Sequence, residues 1–113
     1  MLYEVLWSVD CEAPDTFLYA SLTNVSALGI FVRTEAPMPV GTCMVLRFAP
    51  PSHEGFALQG VVQWINPVRS DGDNLNPGMG VRFVELAQGD RARLVEVVRT
   101  IAYTRDTIAY ELN

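Results

Sequence analysis

Asn24-Val25-Ser26-Ala27-Leu28-Gly29 is the stretch whose residue types and spacing come nearest to chemistry. A carboxamide, a hydroxyl and a glycine stand close together between two apolar runs. The side chains offer neutral hydrogen bonds, and the glycine permits positive φ or close approach. Two readings follow. Asx and Ser side chains bond their own neighbouring backbone, so the run can be a turn alone. It can also hold a ligand's polar groups, and an anionic ligand then needs positive charge nearby. Residues 1–32 hold no Arg and no Lys, whereas Glu4, Asp10, Glu12 and Asp15 all precede the run. Arg33, just after it, is the first base of the chain. It is a candidate charged partner, or else a solvated strand residue.

Other chemistry is thinly represented. His53 stands alone in Pro50-Pro51-Ser52-His53-Glu54-Gly55. Metal binding and acid–base work need partners at defined spacing, and none is visible there. Ser26 lacks the G-x-S-x-G setting of a nucleophile. Asp71 and Asp73 resemble half of a calcium loop, but no bidentate Glu follows at the required place. Cys11 and Cys43 form no C-x-x-C pair, and a disulfide between them depends on geometry that sequence does not set. Trp7 and Trp64 read as core or barrel-rim aromatics. No catalytic residue, metal site or enzyme is expected.

Composition bounds the rest. The chain has 113 residues, half of them apolar, which suits one domain with one modest core. Net charge is −5, and all eight bases are Arg. An acidic body argues against nucleic acid or an anionic membrane as partner. No run approaches a membrane span, no basic leader follows Met1, and the two cysteines suit a reducing compartment. A cytoplasmic protein is expected.

The chain divides once, near Leu86 to Gly89. Before it, strands are expected at 3–9, 17–23, 29–34, 42–48, 56–65 and 78–84, separated by turn residues such as Glu12 to Asp15 and Met38 to Gly41. Gly60 inside the fifth is expected at a bulge or barrel bend. Six short strands with hairpin-sized connections suggest an antiparallel barrel or sandwich. After the divide, Asp90 is expected to cap a helix beginning at Arg91. Its apolar stripe runs Leu94, Val98, Ile101, Ile108 and Leu112, with Arg105 as the polar exception. That spacing is heptad-like, so the stripe has two readings: packing on the barrel, and self-association.

Four stretches in order resemble the PilZ domain: N-V-S-A-L-G-I-F-V-R-T at 24–34, Val40-Gly41-Thr42 opening a strand, G-V-V-Q-W-I at 60–65 and G-M-G-V-R-F at 78–83. An amphipathic helix follows, as in that family. The wording of 29–34 and 77–83 most resembles PilZ-like paralogues of gliding or predatory delta-class bacteria. The resemblance implies an all-β fold with a C-terminal helix: a six-stranded antiparallel β-barrel over residues 1–86 and one long helix over 89–112. It also implies a bacterial cyclic di-GMP receptor with two ligand elements. One is R-x-x-x-R in an arm before the first strand. The other is D/N-x-S-x-x-G, which Asn24, Ser26 and Gly29 match.

Nothing in residues 1–32 matches the arginine element, so the arm is expected to be absent. Arginine gives bidentate, charge-assisted bonds to phosphate. At ~1.5–3 kcal/mol each, losing two costs about 3–6 kcal/mol, or roughly two to four decades in affinity. The expectation is a non-enzymatic adaptor that regulates motility, pili or cell polarity through a bacterial signalling or motility protein. Cyclic di-GMP is a disfavoured ligand for the set Asn24, Ser26, Gly29 and Arg33, and no cofactor is expected. The alternative is a cyclic di-GMP receptor whose arginines come from a partner or second subunit. Expected contact surfaces are the helix, the face from Asn24 to Arg33, and the loop from Asn66 to Pro77. A homodimer would use Leu94, Val98, Ile101, Ile108 and Leu112.

Overall fold

The computed structural model describes residues 2–68 and 76–112, with side chains as far as Thr104. Asp71, Asp73, most of the loop from Asn66 to Pro77, and the side chains of Arg105, Ile108 and Leu112 lie outside the described residues. Six strands precede one helix: β1 (Tyr3–Ala13), β2 (Thr16–Val25), β3 (Gly29–Arg33), β4 (Cys43–Phe48), β5 (Phe56–Asn66), β6 (Gly78–Phe83) and α1 (Gln88–Leu112). Every strand pairing is antiparallel, and the order β1-β2-β3-β6-β5-β4 closes into a barrel. Closure pairs every strand on both sides over part of its length, while the β1–β2 hairpin runs past the ladders: β1 meets β4 only over Val9–Glu12, and β2 meets β3 only over Ser21–Val25.

The inward faces follow the period of two. Val9 and Cys11 of β1, Leu22 and Val25 of β2, Met44, Leu46 and Phe48 of β4, and Phe56, Leu58 and Val62 of β5 are buried in one cluster. Met79, Val81 and Phe83 of β6 complete the wall. The strand expectation holds for all six, with two differences in extent. β1 and β2 are longer than expected and form a hairpin of 11 and 10 residues. Acidic residues depress strand propensity, which is why Glu12 reads as turn. Here Glu12 faces outward and pairs with Arg47 of β4 at 2.9 Å, while Cys11 between the acids faces the core. The turn shrinks to Pro14 and Asp15.

The bulge is not at Gly60. Gly60 lies in unbroken register between Met44 and Phe83, and the extra residue of β5 falls between Val62 and Trp64. A side chain at Gly60 would collide with those of Val81 and Leu46, so packing explains the glycine.

Helix α1 also begins earlier than expected. Arg91 N–H already donates to the carbonyl of Ala87 at 2.9 Å, so Asp90 lies inside the first turn and is not the cap. There its carboxylate still meets the positive end of the helix dipole and approaches Arg93 at 3.5 Å. Leu94 and Val97 are buried with the barrel residues, and Ile101 packs partly against them. The contact line is therefore 94, 97, 101, with Val98 half-buried beside it; this is the wider stripe of a helix lying on a globular body. Arg93 fastens the same turn. Its Nη2 donates to the carbonyls of Glu54 and Gly55 at 2.8 and 3.0 Å, and its guanidinium lies 4.0 Å from the Phe56 ring centre.

Both cysteines are free, Cys11 buried and Cys43 exposed. Burial, reinforced by the neighbouring Asp10 carboxylate, pushes the Cys11 thiol from its ordinary 9.0 up to about 12. The native state thus keeps this proton where the unfolded chain loses it. Stability falls as pH rises from about 9 to about 12, and the loss is shallower in Cys11→Ala. Cys43 should react with a maleimide at neutral pH, whereas Cys11 should react only after unfolding; mass spectrometry with and without denaturant reads both. Leu94→Ala should cost about 3 kcal/mol, because the helix loses its buried anchor. Val95→Ala, at a position 39% exposed, should stay within about 0.5 kcal/mol in the same urea titration.

Candidate functional site

The Asn24 to Gly29 run is a tight connection between β2 and β3. Ser26 N–H donates to the Gly29 carbonyl at 3.0 Å. The Ser26 hydroxyl accepts from Leu28 N–H at 3.1 Å and Gly29 N–H at 3.3 Å, and donates back to the Gly29 carbonyl at 3.4 Å. Its hydrogen-bonding capacity is used inside its own turn. The Leu28 carbonyl accepts from Phe83 N–H at 2.9 Å, which ties the turn to the end of β6. A Cβ at Gly29 would run into the Val81 carbonyl oxygen. The glycine is thus required by close strand approach.

Asn24 stands one step away, within β2. Its Oδ1 accepts from the Thr23 hydroxyl at 3.0 Å. Its cross-strand neighbours are Phe31 on β3 and Glu4 on β1. Directly paired residues on one face have Cβ atoms about 5 Å apart, so an acid stands beside the first residue of the motif.

A surface depression of about 600 Å³ opens beside the turn. Ser26, Ala27, Leu28 and Gly29 line it; Asn24 and Arg33 do not. Arg33 ends β3, opposite Ser21 and Gly78, about 13 Å along the strand from Gly29. Two other arginines line the depression instead: Arg82, directly opposite Gly29 on β6, and Arg91 in the first turns of α1. Sequence reasoning passed over both because they lie far downstream of the motif. The period-two pattern of β6 carried the signal for Arg82: Gly78, Gly80 and Arg82 share the outward face.

The remaining wall is aromatic. Trp64 stacks on Phe31 with ring centres 5.3 Å apart and planes at 27°. Phe31 is buried outside the core cluster, under this indole. The alternate glycines of β6 explain the arrangement: a Cβ at Gly80 would strike the Trp64 indole, and one at Gly78 would strike the Phe31 ring. Both aromatics therefore lie flat across β6, and Trp64 remains 51% exposed as a rigid platform. Trp7 differs, stacking on Phe48 at 6.4 Å against the core.

Charge at the site is uneven. Arg47 pairs with Glu12, Arg93 with Asp90, and Arg99 with Glu96. Among the described residues, Arg82 and Arg91 have no ion pair or side-chain hydrogen bond. Glu85 is the one acid lining the depression. The described residues contain no cluster of three or more metal-ligating side chains. No described helix is long and apolar enough to cross a membrane.

The closed six-stranded barrel, its C-terminal helix and the N-x-S-x-x-G turn can be set beside known proteins. The family model described as "PilZ domain" matches residues 3–100. The chain belongs to the PilZ domain family. Its members are non-enzymatic effectors and adaptors linked to cyclic di-GMP. Among solved structures, the Bacillus subtilis inhibitor of motility MotI/DgrA is 20% identical, with TM-score 0.74, over 92% of this chain and 51% of that one. The PilZ domain of YcgR from Escherichia coli, with cyclic di-GMP, is 12% identical with TM-score 0.76, over 96% of this chain and 94% of that one. YcgR from Escherichia coli in complex with cyclic di-GMP is 11% identical with TM-score 0.83, over 100% of this chain and 49% of that one. This PilZ chain thus spans about half the length of MotI/DgrA and of the longer YcgR structure. At these identities the likeness concerns the fold. No curated protein sequence matches the chain significantly.

Because the Ser26 hydroxyl serves the turn of this PilZ domain, Ser26→Ala should lower stability by about 1 kcal/mol in urea unfolding. Barrel secondary structure by circular dichroism should be unchanged.

Proposed function

We propose that this PilZ domain is a protein-interaction adaptor in bacterial motility, pili or cell polarity. Cyclic di-GMP binds the residues of this chain weakly or not at all. The observation that carries the reading is the strand register that sets Glu4 across from Asn24. An acid paired with the first residue of the motif puts negative charge where an anionic ligand would need positive charge. The Ser26 hydroxyl, already engaged in its turn, supports the same reading. The structural likeness to an inhibitor of motility agrees with the biological setting.

The partner is a bacterial signalling or motility protein. Self-association through the distal part of α1, where the sequence places Ile108 and Leu112, belongs to the same proposal. Leu94 contributes to the core instead. A cytoplasmic location accompanies this reading.

A second reading has one observation in its favour. Arg82 and Arg91 line the same depression as Ser26 and Gly29, so two cations stand by the turn without any second subunit. On that reading the domain is a cyclic di-GMP receptor with relocated arginines. Isothermal titration of residues 1–113 with cyclic di-GMP separates the two. The adaptor reading expects a dissociation constant above about 100 μM. Low-micromolar binding would overturn it in favour of the receptor.

A further inference from the structure

We propose that the outer face formed by Trp64, Leu28, Arg82 and Arg91 is a docking site for an acidic protein segment with an apolar anchor residue. This rests on the adaptor reading and names the chemistry of its partner.

Charge is the first argument. The chain carries −5 overall, and thirteen acids stand against eight arginines. Six arginines have described side chains. Arg47, Arg93 and Arg99 are ion-paired, and Arg33 also has an interaction of its own. Arg82 and Arg91 are the two without a partner among the described residues, and both line one depression. An acidic protein that sets these two guanidinium groups on one face presents a local positive patch, complementary to carboxylates. The single acid lining it, Glu85, leaves that patch net positive.

Apolar exposure is the second. Leu2 is 54% and Leu28 72% exposed, and they line the same depression as the half-exposed Trp64. Trp64 is held by Phe31 beneath and by the bare backbone of Gly80, so burying it against a partner costs little conformational entropy. Two leucines beside an indole suit an aliphatic or aromatic side chain.

The placement of the charges selects a peptide segment over a compact polyanion. Arg82 is on β6 and Arg91 on α1, on different elements around a depression of about 600 Å³. An extended segment meets them with separate carboxylates on either side of an apolar anchor. A second copy of the chain remains an outcome of the test.

The probe is a fluorescein-labelled synthetic peptide of about twelve residues, rich in Asp and Glu around a central Phe-Leu pair. One control replaces Phe-Leu with Ser-Ser, and another replaces the acids with Lys. Anisotropy is measured against the full chain, with Trp emission as a second readout. The acidic anchored peptide should bind, and both controls should bind at least about fivefold more weakly. R82E/R91E should weaken binding at least about tenfold and flatten its dependence on salt, and W64A should weaken it about fivefold at unchanged salt dependence. R99E, whose arginine lies off the depression, should behave as wild type. R82Q/R91Q serves should the double reversal fail to fold by circular dichroism.

Absent binding, binding indifferent to R82E/R91E, or an equal loss in R99E would overturn the assignment. Titrating cyclic di-GMP into the same proteins separates the two levels. Low-micromolar nucleotide binding lost in R82E/R91E would overturn both this proposal and the adaptor reading. Absence of both peptide and nucleotide binding would overturn only the docking assignment. Sedimentation showing self-association abolished by R82E/R91E would give the face to a second copy and overturn the peptide.

Discussion

The pairing of β3 with β6 is the constraint on which the site depends. These strands are far apart in the chain, and their ladder is one of the two long-range pairings that close the barrel. The approach is tight at both ends. Gly29 lies against the Val81 carbonyl oxygen, and Gly78 against that of Val32. Each glycine stands opposite an arginine, Arg82 at one end and Arg33 at the other. A side chain at either glycine would push the strands apart where the wall must close. The ladder also brings the Ser26 turn to the end of β6, through the bond from Phe83 N–H to the Leu28 carbonyl.

The outer wall follows from the same glycines. Because Gly78 and Gly80 leave the β6 surface bare, Phe31 and Trp64 cross it from the two neighbouring strands and meet above it. A barrel this small fills its interior with Leu, Val, Met and Phe, so aromatics on the outside are surplus to the core. The exposed, rigid indole lies beside Arg82 and Arg91. It forms a surface ready for contact without reorganisation.

The charge pattern separates the two sides of the motif. On the β1 side, Glu4 faces Asn24. On the β6 side, Arg82 faces Gly29. A phosphate ligand bound across the whole motif would meet an acid at one end and a cation at the other. A protein segment has no such conflict, because it can use the β6 side alone. This polarity supports the adaptor proposed for a domain whose fold is shared with cyclic di-GMP complexes.

Much of this was legible in the sequence, and the reason is local. Alternation in residues 17–23 set Leu18, Ala20 and Leu22 on one face, and the structure turns that face inward. Asn24 to Gly29 marked a connection, because Asx, Ser and Gly chemistry acts over three or four residues. What sequence misjudged was long-range or context-dependent. Glu12 is tolerated in a strand because Arg47, thirty-five residues on, reaches it diagonally from β4. Gly60 answers to Val81 and Leu46, with no bulge of its own. Arg33 is adjacent to the motif in sequence and carried away from it by a strand's length. Arg82 and Arg91 are remote in sequence and delivered to it by barrel closure and the helix start. The sequence by itself determined the family, the strands and the turn, because periodicity and turn chemistry are written within one segment. Only the tertiary structure decided which charges share the site, because register between distant strands sets which side chains become neighbours.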